Sequence, residues 1–181
     1  MSPPDTGLQI DRIGTLDAAA VDSLAALLID AIDGGASMGF HAPLRPSVAT
    51  AYWRDVASSL DADNALWIAL DGAQRIVGSV QWQRAGRENG RHRAEVCKLL
   101  VLRDARRAGI AAQLMATLEA LARASSVTLL VLDTEAGSPA ESFYQSQGWQ
   151  RVGEIPGFAS RGDASLMATA LYYKALRNGV A

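Results

Sequence analysis

The chain has 181 residues, 49% of them apolar and 20% charged, and its 17 Lys and Arg against 19 Asp and Glu give a formal net charge of −2. Such values describe an ordinary folded protein and exclude wholesale disorder or a fibrous architecture. They also exclude a chain whose main task is to coat nucleic acid, because that requires a basic surface.

The length fits one domain over residues 1–181, with residues 1–7 as a flexible tail, and a domain of this size buries roughly 70% of its unfolded surface. A lone cysteine, Cys97, leaves no intrachain disulfide framework and no cysteine cluster for structural zinc, so no metal is expected. The start "MSPPDTG" lacks a signal peptide's pattern, and no segment reaches the 18 or more apolar residues of a membrane span. The expectation is a cytoplasmic protein with neither membrane nor nucleic acid as partner.

In chain order, Leu8 to Ile13 alternates and predicts a strand. Leu16, Ala20, Leu24, Leu27, Leu28 and Ile32 recur at helical spacing, predicting a helix over 15–32 with Thr15 as its N-cap. The glycines and prolines of "DGGASMGFHAPLRP" (33–46) predict a loop, and Val48, Tyr52, Val56 and Leu60 predict a second helix over 47–60. "ALWIAL" (65–70) and "RIVGSVQWQ" (75–83) flank "DGAQ", a hairpin signal, and a third strand follows over 93–102, which makes an antiparallel meander.

After "RRAGIA" (106–111), Leu114, Met115, Leu118, Leu121 and Ala122 mark a third helix. "VTLLVLD" (127–133) reads as a strand buried on both faces, parallel to 93–102 through a right-handed crossover. A short helix over 138–147 ends at Gly148 as its C′ residue, and strands over 149–154 and 166–174 close the chain. The order β-α-α-β-β-β-α-β-α-β-β implies an α+β domain with a mixed sheet, not a doubly wound fold.

"RRAGIA" stands where a strand passes through a glycine-containing loop into a helix. Unpaired N–H groups and the positive end of the helix dipole make that place a binding site for anions. Gly109 permits close approach of the main chain and Ala111 keeps the next turn slim. The six residues alone fit a solvated basic loop equally well; the flanking strand and helix favour a cradle. There is no G-x-x-x-x-G-K-[ST] and no opening β-α-β with G-x-G-x-x-G, so nucleoside triphosphate and dinucleotide sites have no support.

Three motifs in order resemble the GCN5-related N-acetyltransferase (GNAT) superfamily. The phosphate loop Q/R-x-x-G-x-G/A is matched by Arg106, Gly109 and Ala111; the preceding L-x-V strand end by Leu99-Leu100-Val101; and the A-x-x-x-Y helix with its glycine and aromatic by Ala140, Tyr144, Gly148 and Trp149. "GGASMGF", "RAEVCKLLVL", "LDTEAGSPAESFY" and "RVGEIPGF" look most like the tabtoxin resistance acetyltransferase group. The resemblance implies a three-layer fold whose mostly antiparallel sheet splays between its two central parallel strands, with acetyl-CoA as cosubstrate. Leu100, Val101 and Leu102 would pair with the pantetheine arm. Arg106, Arg107, Ala108, Gly109, Ile110 and Ala111 would hold the pyrophosphate. The family's frequent Asn before A-x-x-x-Y is replaced here by Gly137, so that contact to CoA is either lost or moved to Ser138.

The implied chemistry is direct attack of a substrate amine on the acetyl thioester. Tyr144 holds the family's general-acid position, unless it is only a helix tyrosine with its ring in the core. Glu95, fourteen residues before Gly109, holds the place of the base in the histone-acetylating branch, unless it merely pairs with Arg93 or Lys98. Asp133, supported by Glu135, is the other carboxylate, facing a cationic substrate or else capping the following helix. Asp33 and Phe40, in the 33–46 loop, are expected on the acceptor side, where His41 is a weak possibility, and Cys97 reads as a small core residue. The expected activity is N-acetylation of a small-molecule amine such as a toxin or antibiotic, with a homodimer as the default assembly. A non-catalytic acyl-CoA sensor of the same fold and a protein N-acetyltransferase are the alternatives.

Overall fold

The computed structural model describes residues 7–176, so the expected tail lies, except for Gly7, outside the described residues. Seven strands and four helices follow the predicted order: β1 Gln9–Ile13, α1 Ala18–Asp33, α2 Pro46–Ser59, β2 Asn64–Leu70, β3 Ile76–Arg84, β4 Arg93–Val101, α3 Ile110–Ala124, β5 Leu129–Glu135, α4 Pro139–Ser146, β6 Gln150–Ser160 and β7 Leu166–Ala175. The strands form one mixed sheet in the order β1-β2-β3-β4-β5-β7-β6, in which only β4 and β5 run parallel.

Both faces of the sheet are covered. In β2, Leu66 and Ile68 join α1 and α2 through Leu24, Leu27, Leu28 and Trp53, while Ala65, Trp67 and Ala69 face α3 with Leu114, Met115 and Leu118. This two-sided burial explains why β2 reads as a continuous apolar run. Leu24, Leu27 and Leu28 are fully buried, each contributing about 1.5–3 kcal/mol relative to exposure.

Some boundaries differ from expectation. The N-cap of α1 is Asp17, not Thr15: its carboxylate accepts from the Ala20 N–H at 2.8 Å. α2 starts one residue early, because Pro46 fits the first helical turn, where no N–H is missed. β5 is shifted by two residues and continues past Asp133, pairing with β7 as far as Glu135↔Thr169. β6 extends to Ser160, through Pro156 and Gly157, residues that read as strand breakers. It is an edge strand with irregular register between Ile155 and Ala159, where a missing ladder bond is tolerated.

The feature that positions the site is an interruption in the middle of the sheet. β4 and β5 pair only at Arg93↔Leu129, Ala94↔Leu130 and Glu95↔Val131. Beyond Glu95, β4 continues with β3 alone and β5 with β7 alone. Just past the parting, Lys98 has φ +51° and the β3 register skips between Ser79↔Leu100 and Gln81↔Cys97, a bulge that bends β4. The expected splay is therefore present. No helix among the described residues is long and apolar enough to cross a membrane.

Candidate active site

The parted strands open a cleft of about 1020 Å³. Glu95 to Val101 of β4 form one wall, and Asp133 to Glu135 of β5 with Ser138, Ala140, Phe143 and Tyr144 form the other. The loop 34–41 and residues 158–160 of β6 complete it, while Arg106 and Ala111 mark the end at which α3 begins.

The start of α3 leaves backbone donors without a side-chain cap. Its N-cap, Gly109, has φ +77° and supplies no side-chain cap; the first turn is closed by the Gln113 N–H on Gly109 O at 3.1 Å. The N–H groups of Ile110, Ala111 and Ala112 therefore precede the first intrahelical bond. Gly109 is required for its left-handed backbone rather than for lack of space, since an added Cβ would meet only Gln113 Nε2, at 3.9 Å. Gly78, which the sequence did not single out, seats the helix: a Cβ there would lie 3.0 Å from Leu100 O and 3.1 Å from both Ile110 Cγ2 and Leu114 Cδ1.

The remaining cofactor candidates divide between cleft and scaffold. Leu100, Val101, Arg106, Ala111, Ser138 and Tyr144 line the cleft. Leu102, Arg107, Ala108, Gly109 and Ile110 do not; the Leu102 N–H is already spent on Val77 O at 3.0 Å, and Ile110 is buried against the core. Arg106 rests its Nε on Val101 O at 3.3 Å, leaving both Nη groups for a ligand. Ser138 is the N-cap of α4, with its hydroxyl 3.4 Å from Thr134 Oγ1.

Tyr144 is 9% exposed, packed against Phe143, Trp149 and Tyr172. Burial pushes its phenol up to about 12, helped by the Asp133 carboxylate and by Cys97. Glu95 and Asp133 both line the cleft as exposed side chains. Among the described residues Glu95 makes no ion pair with Arg93 or Lys98, and Asp133 does not cap α4, whose preceding Gly137 N–H is taken by Glu141 Oε1 at 2.7 Å. Glu135 lies at the end of β5 rather than in a loop and is held by Arg161 Nη2 at 2.6 Å.

On the acceptor side, Phe40 lines the cleft but Asp33 does not. Asp33 ends α1 and accepts from the Leu44 N–H at 3.1 Å, a staple across its own loop. His41, a weak possibility from the sequence, lines the cleft with Nε2 3.0 Å from Ser160 O and 3.2 Å from Ser160 Oγ. Cys97 is a cleft residue rather than a core one: its thiol, pushed to about 11 by burial, points to Gln81 Oε1 at 4.0 Å. A thiol so raised stays protonated at neutral pH and is a poor nucleophile. Lys98 went unremarked as a site residue because its placement depends on the bulge.

A family model described as an acetyltransferase (GNAT) domain matches residues 62–151. An uncharacterized N-acetyltransferase in the hisH-hisA intergenic region of Azospirillum brasilense is 31% identical over 131 residues, which span 71% of this chain and 76% of that protein. The fold is similar to a phosphinothricin acetyltransferase from Sinorhizobium meliloti in complex with acetyl-CoA, with TM-score 0.76 and 15% identity over 96% of this chain and 91% of the other. It is also similar to a ribosomal-protein-alanine N-acetyltransferase from Brucella melitensis, with TM-score 0.75 and 21% identity over 93% and 99% of the two chains. Sequence relationship and strand topology agree: this chain is an acetyltransferase of the GNAT family.

Proposed function

We propose that the protein transfers an acetyl group from acetyl-CoA to the amine of a small molecule, in the manner of the tabtoxin resistance group. The observation that carries this reading is that Tyr144, Glu95 and Asp133 line the same cleft as Arg106 and Ala111 at the uncapped start of α3. The cradle fits acetyl-CoA. The N–H groups around Gly109 and the end of the α3 dipole hold the pyrophosphate, with Arg106 beside them. The β4 edge past Glu95, which lacks a β5 partner, pairs with the pantetheine amides as an added strand would. When bound, acetyl-CoA supplies the reactive thioester.

The chain's own residues then move protons. Glu95 takes the proton of the incoming amine, directly or through one water, and Asp133 holds the acceptor's charge. Tyr144 protonates the departing sulfur. A phenol at about 12 would be a poor donor to an ordinary thiolate near 8.5. The same burial that raises Tyr144, however, disfavours a charged thiolate in the cleft, and so favours the transfer of the proton to the departing sulfur.

The test is release of free thiol from acetyl-CoA with a panel of amines that includes tabtoxinine-like amino acids; no turnover with any of them would overturn the reading. A homodimer belongs to the same proposal. The exposed large apolar side chains among the described residues, Val152, Ile155, Phe158 and Leu166, all lie on the β6–β7 hairpin, and light scattering should find a two-chain mass.

A further inference from the structure

We infer that Lys98 reads an anionic group on the acceptor, so that preferred acceptors carry a carboxylate or a similar anion a few atoms from the amine that is acetylated. This rests on the acetyltransferase reading above and names its substrate class.

The bulge on β4 places Lys98 at φ +51°, with its carbonyl accepting from Ser79 Oγ at 3.2 Å, and its side chain lines the cleft. The ammonium is held in a frame of three groups: Met38 O at 3.2 Å, the Tyr52 ring at 5.2 Å and the Phe40 ring at 5.9 Å. That frame is itself anchored. Phe40 packs edge-on against Tyr52, which meets Trp53 the same way and donates its hydroxyl to Gln81 Oε1 at 3.2 Å. Every member is neutral. Aromatic faces and one carbonyl steady an ammonium without cancelling its charge, and two of its three N–H donors remain.

The other nearby cations serve elsewhere. Arg161 is paired with Glu135, and Arg106 sits at the α3 end on Val101 O. Lys98 makes no ion pair among the described residues although it is half-buried, a costly state for a charge without a counter-ion. Glu95 and Asp133 would draw an ammonium, and Lys98 adds the opposite sign to the same cleft. This pattern suits a zwitterionic acceptor and disfavours polycationic amines, which meet a fixed positive charge.

The experiment uses matched acceptors, L-amino acids and their carboxamides, with wild type, Lys98→Met and Lys98→Arg. Lys98→Met keeps an unbranched apolar side chain and removes the ammonium, with its charge and its hydrogen bond to Met38 O. Wild type should favour the acids by about 10-fold or more in kcat/KM, the size of one charge-assisted contact. Lys98→Met should erase that preference by raising KM for the acids, leave the carboxamides and the KM for acetyl-CoA nearly unchanged, and Lys98→Arg should restore much of it. Equal losses for acid and carboxamide, or a wild type that prefers carboxamides or polyamines, would overturn the inference. If no amine turns over, the acetyltransferase reading fails separately. Calorimetric binding of the same acids then decides: acids that bind wild type but not Lys98→Met uphold the anion site, and acids that bind neither or both equally overturn it.

Discussion

Tyr144 shows how environment sets the role of a single side chain. Its phenol, pushed up to about 12 by burial and by the Asp133 charge, stays protonated across any working pH and can serve as a proton donor but not as a base. Tyr144→Phe should lower kcat by about 10²-fold or more, the usual worth of a positioned acid, while acetyl-CoA affinity stays close to wild type. An acyl-CoA sensor would be indifferent to the change. The pH profile is a second check: loss of the Tyr144 proton begins only near its raised value, so a basic limb found below pH 10 must come from another group. Of the site residues, Tyr144 and Glu95 were named from family positions and Asp133 from its place at the end of a buried strand, and all three line the cleft. Asp33 was misleading for a physical reason, since an acidic residue at the end of a helix can serve its own loop, and here it bonds Leu44. Lys98 was invisible because a positive φ in mid-strand follows from the β3–β4 register, which no local pattern of residues encodes.

At the scale of elements, two helix starts carry the site. In the loop before α3, both Arg107 (φ +66°) and Gly109 (φ +77°) are left-handed, but only Gly109 leads directly into the helix. Gly109→Val places a branched residue in a backbone region that costs an L-residue about 1–2 kcal/mol, more when branched. It should weaken acetyl-CoA binding more than Arg107→Ala does, as measured by calorimetry. If Arg107→Ala proves the more damaging, the loop acts as a charge patch and the backbone account fails. α4 is held differently: Glu141 accepts from the Gly137 N–H at 2.7 Å, from Arg151 Nε at 3.0 Å and from the Tyr172 hydroxyl. The Tyr172 hydrogen bond, the Gly137 N–H and Arg151 hold the Glu141 carboxyl below its ordinary 4.5. A carboxylate depressed in the fold contributes stability that is complete above its unfolded value and lost as pH falls through the lower folded one. Glu141→Gln should therefore flatten the fall of Tm with acidification below about pH 4.5, relative to wild type. The helices and the β2–β4 meander were readable because two-sided burial and 3.6-residue spacing are strong periodic signals. β6 was cut short because proline and glycine read as breakers, although an edge strand tolerates both.

Across the whole molecule, the cleft exists because the chain brings its N-terminal helical part and its C-terminal hairpin to opposite sides of a divided sheet. The motifs named the division, but the contacts that close the acceptor side join residues 119 and 26 positions apart and have no sequence pattern. His41 Nε2 donates to Ser160 O, and Arg161 pairs with Glu135, so the 33–46 loop and the β6–β7 turn are tied to each other and to β5. Both clasps are exposed, and exposed contacts of this kind contribute about 0–1 kcal/mol to stability. Their effect should instead fall on how well the acceptor side is shaped, because misplacement of positioning groups slows a reaction even when the fold is intact. The double variant His41→Ala, Arg161→Ala should keep Tm within a few degrees of wild type, in keeping with the small stability term. It should raise KM for the acceptor several-fold and leave KM for acetyl-CoA, bound at the far α3 end, unaltered. Parallel rises in both KM values would mean that the clasps support the whole cleft; a large fall in Tm would mean that the hairpin depends on them to fold.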